Sequence, residues 1–424
     1  MKRVLLLLPT TGYRNADFLA AAKKLDVEIV AAANYCHQLA PSWGLSPIMA
    51  LHFDQPEQAA DTVLREISGN LDAVLAVDDS GAELAALLAE RLGLPGNPAH
   101  AVRRVRDKLA FRRLLQEREF LCPEFHHLPT GEDPQKLFPE LKFPVVVKAR
   151  RLSASRGVIR VEDSEALVRA VNWVRAIQSR ADRDAQELGL IIENFIPGQE
   201  YALEGILEQG KLTLLALFDK PDPLDGPYFE ETLYLTPSRL PEALQNGIHE
   251  KVALACRVAG IKVGPVHAEV RVNDQGIWIL EVAARSIGGL CGRVLTHSLG
   301  MSLEEVILRQ VVGEPLAIAG AAGAAGVMMI PIPRRGIYHG IEGLAAAQSV
   351  AAITGVTITA QPGQIIAPPP DGASYLGFIF ARAATPADAE TALRIAHRRL
   401  HFDIRPEYPA IVAPEPSDSH RRMT

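Results

Sequence analysis

Residues 266–293, VHAEVRVNDQGIWILEVAARSIGGLCGR, constrain this chain more than any other stretch. His267, Glu269 and Arg271 alternate with Ala268, Val270 and Val272, and then Ile279, Glu281 and Ala283 alternate with Leu280 and Val282. A period of two predicts a pair of short antiparallel strands. Asp274-Gln275-Gly276 suits a three-residue hairpin loop with glycine in the left-handed position of a bulge. That register sets Glu269 directly across from Glu281 on one face. Facing carboxylates repel unless a positive group lies between them. Mg²⁺ meets the need, because it takes hard oxygen ligands and is normally shared with phosphates. Arg285 lies on the same side, and Arg293 follows the flexible Gly288-Gly289 pair. An ordinary hairpin with one solvated face is the competing account, but such an edge needs neither the apolar content nor the glycine–arginine ending.

At 424 residues the chain exceeds one hydrophobic core, so two to four domains are expected. A net charge of -6 gives no global attraction for nucleic acid, and helical spacing spreads the cluster of Arg103, Arg104, Arg106, Lys108, Arg112 and Arg113 around its element. Cys36, Cys122, Cys256 and Cys291 form no CxxC pair, which argues against a disulfide scaffold or structural zinc. Of these, only Cys291, near the glycine pair, sits where a functional reading arises; a buried inert thiol is the simpler one. The apolar opening at residues 1–9 is too brief for a signal peptide and suits a first buried strand. No run of about 20 apolar residues suggests a membrane span. The expected compartment is the cytoplasm.

Strands and helices alternate through residues 1–95, which predicts a small parallel sheet covered by helices. Asp78-Asp79-Ser80 stands at the carboxyl end of one strand, where such sheets hold ligands, although capping of the next helix explains it equally well. Gly12 is a lone glycine, so the dinucleotide fingerprint is missing. A charged helix is expected over 101–117, and a linker over 129–139. The strand at 143–148 ends on Lys148, and the basic small-residue stretch ARRLSASRG follows. Such a loop can close over phosphates through the amides of Ser153, Ser155 and Gly157, with Lys148 as a point charge. It is not a Walker A loop. Glu193, Glu200 and Glu204 sit in or beside apolar strands, where burial without partners is expensive. Residues 219–238 read as an ordered loop or lid, because Tyr228, Phe229 and Tyr234 need packing partners. The expected class is therefore multidomain, α/β and α+β. A central region spans 96–315 with a lid at about 130–205, then a C-terminal α+β module at 316–412 and a disordered tail at 413–424.

Taken in order, Lys108, Lys148 with its loop, the acidic strands at 193–204, and Glu269, Glu281 and Arg285 resemble the ATP-grasp superfamily of carboxylate–amine ligases over nearly the whole chain. The resemblance implies an ATP-grasp fold with an N-terminal parallel α/β domain and a small C-terminal α+β module. It implies that Lys108 and Lys148 contact ATP, that residues 153–157 cover its phosphates, and that adenine meets the backbone of Glu193, Asn194, Phe195 and Ile196. Glu200 then corresponds to the ribose carboxylate, and Glu269 and Glu281 to ligands of Mg²⁺, with Mn²⁺ as a substitute. Many members carry Glu-x-Asn after the second strand, whereas here Ala283 replaces the asparagine.

His267-Ala268-Glu269 followed by Glu281-Val282-Ala283-Ala284-Arg285 is closer to the bacterial L-amino-acid ligases that make dipeptides. That likeness implies that Arg285 holds the reacting carboxylate and its phosphorylated form, and that His267 orients substrate or helps deprotonate the amine. Gly288, Gly289, Arg293, Tyr228 and Phe229 are the further substrate-binding candidates. The implied reaction joins a small-molecule carboxylate to an amine through an acyl phosphate, without nucleic acid or membrane. Homodimers are common among relatives, but no pattern here establishes one. The alternatives are another ATP-grasp reaction, such as carboxylation or purine-type ligation, and a non-catalytic ATP-binding protein.

Overall fold

The apolar opening forms β1 (Lys2–Leu8), in which Val4 to Leu8 are buried because a parallel strand is covered on both faces. β2 (Val27–Asn34) pairs beside it in parallel, β3 (Met49–Leu51) lies beyond β2, and β4 (Ala73–Ala76) flanks the other side of β1. Helices α1 (Asn15–Lys24), α2 (Pro56–Glu66) and α3 (Asp79–Leu92) belong to this layer. Asp78 caps α3 by accepting the Ser80 N–H at 2.9 Å. This computed structural model describes residues 1–10, 12–34, 49–181, 187–320, 322–372 and 374–407. Cys36 and the expected tail at 413–424 lie outside the described residues.

The charged helix expected over 101–117 is broken in two, α4 (Ala99–Arg106) and α5 (Lys108–Glu117). Asp107 leaves the helical conformation, and its carboxylate accepts from the Leu109 and Ala110 amides. Aspartate offers the backbone this alternative partner, and Arg150 Nε secures it from 2.9 Å away. Lys108 and Arg112 both follow the break, one turn apart on α5, where Lys108 bonds the Leu152 carbonyl and Arg112 bonds Glu193.

The lid is the antiparallel sheet β5 (Phe125–Leu128), β6 (Val145–Ala149), β7 (Val158–Val161) and β8 (Leu190–Asn194), in spatial order β5-β8-β6-β7. The long helix α6 (Ser164–Ala181) packs Leu167, Val171 and Val174 onto it. The stretch expected as a linker at 129–139 contains a short 3-10 helix, Pro134–Glu140.

The largest sheet has eight strands. Five of them, at one end, are β9 (Gln199–Glu208), β10 (Lys211–Asp219), β11 (Leu233–Thr236), β12 (Gly264–Asn273) and β13 (Gly276–Ala283), with α7 (Glu242–Ala259) against them. After α8 (Thr296–Leu299) and α9 (Leu303–Val311), β14 (Ala324–Ile330) joins β11. Beyond β15 (Gly336–Glu342) and α10 (Leu344–Gln348), β16 (Ile353–Ile358) forms the far edge. β17 (Ile365–Ile366) precedes β18 (Gly377–Ala383), and α11 (Pro386–Arg398) and β19 (His401–Arg405) close the series. The order β13-β12-β9-β10-β11-β14-β18-β16 makes the C-terminal strands extend the central sheet, while β17-β15-β19 form a separate small one. Among the described residues no helix is long and apolar enough to cross a membrane.

The hairpin at 264–283 differs from expectation in its turn. Asn273 pairs with Gly276, so the loop is only Asp274-Gln275, and the Asn273 side chain accepts from the Gln275 amide at 3.0 Å. The extra residue is instead Leu280, which bulges from β13 between the Val270–Ile279 and Glu269–Glu281 pairs. The two displacements cancel, and Glu269 still faces Glu281.

Candidate active site

A cavity of ≈ 310 Å³ runs between the lid, the central sheet and the N-terminal sheet. Three glutamates flagged by their apolar strands meet it or support its wall, and each has the partner that burial demands. Glu193, 3% exposed, receives Arg112 Nε at 2.8 Å and the Lys148 ammonium. Burial pushes its carboxyl up, but the two cations override that and hold it down at about 2. Glu200 is bound by Lys220 at 2.8 Å and Arg271 Nε at 3.1 Å. Glu204, wholly buried, accepts the Ile287 amide at 3.0 Å and meets His267 Nδ1 at 3.2 Å.

Lys220, directly after β10 and at 3% side-chain exposure, gathers the carboxylates at the acidic end of the cavity. Its ammonium bonds Glu200, Glu231 and Glu269 together, and ligand atoms of these carboxylates lie within 4.8 Å of one another. Burial pushes Glu231 up, while Lys220 holds Glu269 well below the carboxylate range despite its burial. Glu281 lines the same cavity from the paired position on β13. Hard oxygen donors from two strands, beside lysines suited to phosphate, fit a Mg²⁺ ion. Burial lowers the His267 imidazole, but hydrogen bonds to Glu204 and Glu269 outweigh it and hold it up at about 9. That favours the protonated imidazole, whose Nδ1 and Nε2 face Glu204 and Glu269.

The opposite end of the cavity is built by the lid. Lys148 projects from β6, and Lys108 Nζ donates to the Leu152 carbonyl at 2.6 Å. Ser153 and Ser155 line the cavity, and Ala154 and Ser155 both adopt positive φ, +55° and +53°. Such non-glycine conformations cost about 1–2 kcal/mol each and mark a loop shaped for more than connection. The Gly157 amide points elsewhere, to the Pro370 carbonyl at 3.4 Å, and Trp173 Nε1 reaches Asp371 at 3.0 Å. The C-terminal segment thereby touches the lid. Along the expected adenine stretch, the Asn194 and Phe195 amides donate to Glu124 and Pro144 carbonyls, and the Ile196 carbonyl accepts from Arg271 at 2.6 Å. Phe229 stacks 6.4 Å from Phe195, under the Arg271 guanidinium.

The loop after β13 carries Arg285, whose Nε donates to Asp79 at 2.7 Å. Arg14 of the N-terminal layer grips the same loop, donating to Ser286 Oγ at 2.5 Å and the Ile287 carbonyl at 2.8 Å while its Nε bonds Glu304. Gly288 and Gly289 line the cavity. A Cβ at Gly288 would meet nothing within 4 Å, whereas at Gly289, with φ +60°, it would lie 2.8 Å from the buried Phe378 ring. Gly289→Ala is expected to cost about 1–3 kcal/mol through backbone strain and overpacking, and Gly288→Ala almost nothing. Thermal melting of both variants checks this; equal melting temperatures would show that the loop yields. Tyr228 and Arg293 do not line the cavity. Tyr228 packs edge-on against Trp173 at 5.9 Å, and Arg293 pairs with Asp17 at 2.8 Å. Burial raises the Cys291 thiol far above its ordinary range, the behaviour of an inert thiol.

Sequence reasoning passed over Lys220, Glu231, Arg112 and Arg14. For Lys220 a signal was present, since LLALFDK ends an apolar strand on lysine as VVVK does at Lys148. Arg112 was hidden by its charged helix, and Arg14 by distance along the chain.

Comparison with known proteins bears on the whole arrangement. A family model described as an ATP-grasp domain matches residues 141–294, and one described as L-amino acid ligase C-terminal domain 2 matches residues 328–405. The crystal structure of L-amino acid ligase from Bacillus licheniformis superposes with a TM-score of 0.83 at 26% identity, covering 96% of this chain and 99% of that one. Alanine–anticapsin ligase from Bacillus subtilis is 24% identical over 313 residues, 69% of this chain and 66% of the relative. Carnosine synthase 1 from Gallus gallus is 28% identical over 230 residues, 51% of this chain; that alignment spans only 24% of the relative's length. With two lysines and a small-residue lid at one end of a single cavity and clustered carboxylates with Arg285 at the other, the chain belongs to the ATP-grasp family of carboxylate–amine ligases, enzymes that form carbon–nitrogen bonds.

Proposed function

We propose that this protein uses ATP to join the carboxylate of an amino acid to the amine of a second small molecule, forming an amide or peptide bond. The observation that carries this reading is the continuity of one cavity from Lys148 and the 153–155 loop to Arg285. An acyl phosphate made at one end is thus held where an amine can reach it.

On this reading a carboxylate oxygen of the acid attacks the γ-phosphorus of ATP, and the bond to the β-phosphate oxygen breaks to release ADP. Lys108 and Lys148 offset charge on the phosphates, and the planar guanidinium of Arg285 orients the acid and then the acyl phosphate. The amine nitrogen attacks the acyl carbon, the phosphate leaves with the bonding electrons of the acyl C–O bond, and the proton lost by the amine passes to the departing phosphate. Glu269 and Glu281 would hold Mg²⁺, with Glu200 and Glu231 beside them; the ion supplies charge neutralisation at the phosphates when bound. His267, its two nitrogens facing Glu204 and Glu269, adds positive charge beside the acid subsite and orients it. The lid excludes water that would hydrolyse the acyl phosphate. The likeness to L-amino acid ligase and alanine–anticapsin ligase supports an amino acid as the acid substrate.

The test is phosphate release from ATP and Mg²⁺ over single amino acids and pairs, with product mass read in parallel. Expected are ADP, phosphate and a mass equal to acid plus amine minus water, all lost to background in Arg285→Ala. ATP turnover that never depends on an added carboxylate would sink the proposal.

A further inference from the structure

Arg285 is central to the proposed chemistry, yet its direction is set by a residue 206 positions earlier in the chain. Its Nε donates to Asp79 Oδ2 at 2.7 Å and its Nη1 to the Ser286 carbonyl at 3.0 Å. A guanidinium is planar, so two anchored donors fix the plane and the aim of the remaining nitrogen. Among the described residues Nη2 has no acceptor, and Arg285 lines the cavity. The pair is largely shielded, with side-chain exposures of 13% for Arg285 and 20% for Asp79.

Asp79 is itself firmly placed. It is the first residue of α3, directly after the capping Asp78 and at the carboxyl end of β4. Burial works against its ionised form, but the Arg285 guanidinium, with support from Arg106 and Lys108, outweighs that and holds the carboxyl below its usual range. The carboxylate can therefore act as a fixed acceptor at the edge of the cavity, and its own domain supplies no other use for it among the hydrogen bonds described.

We infer that Asp79 is the positioning residue for Arg285, so that the N-terminal sheet forms part of the acid subsite and does more than support the central domain. Through Asp79, Arg285 presents Nη2 and the free Nη1 hydrogen as one edge to the carboxylate and then to its phosphorylated form. The inference rests on the ligase reading. It also assigns a use to the Asp78-Asp79-Ser80 turn beyond helix capping: Asp78 caps, and Asp79 aims the arginine.

Asp79→Ala and Asp79→Asn separate this role from a structural one, because asparagine keeps an acceptor for Nε and alanine does not. In Asp79→Ala, kcat/KM for the acid is expected to fall about 10- to 100-fold, the scale of misplacing a reacting group by about 1 Å, while KM for ATP stays within about threefold. Product formed per phosphate released should also fall, since a loosely held acyl phosphate meets water. Asp79→Asn should recover most of both quantities. A purely structural defect would lower the melting temperature and weaken ATP and acid alike. Should Asp79→Ala not accumulate as folded protein, Asp79→Ser, whose side chain also falls short of Nε, takes its place. Wild-type turnover with an Asp79→Ala variant unchanged in acid kcat/KM and coupling overturns the positioning role alone. Wild-type protein that never consumes ATP in response to a carboxylate overturns the ligase reading, and the positioning role with it.

Discussion

Replacing Lys220 by methionine is expected to reduce ATP turnover by about 10²–10³-fold and to lower stability by about 3–5 kcal/mol. The side chain is 3% exposed and bonds three carboxylates at once, from β9, from β12 and from the segment before β11. Methionine fills much of the volume but leaves Glu200, Glu231 and Glu269 facing one another in a low-dielectric site. Breaking a buried ion pair from one side is costly because the abandoned charges stay behind. Repulsion among them should open the end of β10 and draw Glu269 away from Glu281. Millimolar Mg²⁺ should raise the melting temperature of the variant more than that of the wild type, since the ion restores a positive centre to the same oxygens. Melting curves with Mg²⁺ and with chelator, beside phosphate release, check the pair of effects. A variant that melts like the wild type and keeps its turnover would show that Lys220 is not the keystone of the cluster.

The second large effect is expected at Glu193. Glu193→Gln keeps the shape but leaves Arg112 and Lys148 without a counter-charge, an expected loss of about 3–5 kcal/mol at pH 7. The penalty reaches the site through Arg112, which also donates to the Leu280 carbonyl at 2.9 Å and to the Ile279 carbonyl at 3.3 Å. Those carbonyls belong to the bulged segment beside Glu281. The pH dependence has a definite sign. The folded carboxyl is held at about 2, below its unfolded value near about 4.3. Its contribution is thus complete above the unfolded value and is lost as pH falls through the folded one. Urea unfolding at pH 7 and pH 3 should therefore show the wild type well ahead at neutral pH, with the gap narrowing in acid. A gap that stays constant or widens toward pH 3 would mean that ionised Glu193 does not carry the stability.

The facing pair Glu269 and Glu281 was legible because strand alternation is a local rule that survives a misplaced turn. The turn itself was not legible: the choice between a glycine bulge and an Asp274-Gln275 loop depends on the Asn273 side chain and on where the sheet takes up its extra residue. The 101–117 segment failed for a related reason. Its composition favours one helix, and only the Arg150 contact reveals why Asp107 is held out as a cap. Tyr228 and Phe229 illustrate the limit for side chains. They are neighbours in the sequence, yet one joins Phe195 in the cavity and the other packs behind the lid against Trp173.

By itself the sequence determined the succession of elements, the need of Glu193, Glu200 and Glu204 for partners, the opposition of two carboxylates, and the chemistry of the lysines and the small-residue loop. Each follows from periodicity, from the cost of burying charge, or from the functional groups of residues close together in the chain. The tertiary structure alone decided which cation answers each carboxylate, that Lys220 gathers three of them, that Arg14 and Asp79 hold the loop of Arg285, and that strands after residue 324 extend the central sheet. Those pairings join residues tens to hundreds of positions apart. Charge and hydrogen-bonding capacity state what a buried group requires, whereas packing in three dimensions selects the group that meets it.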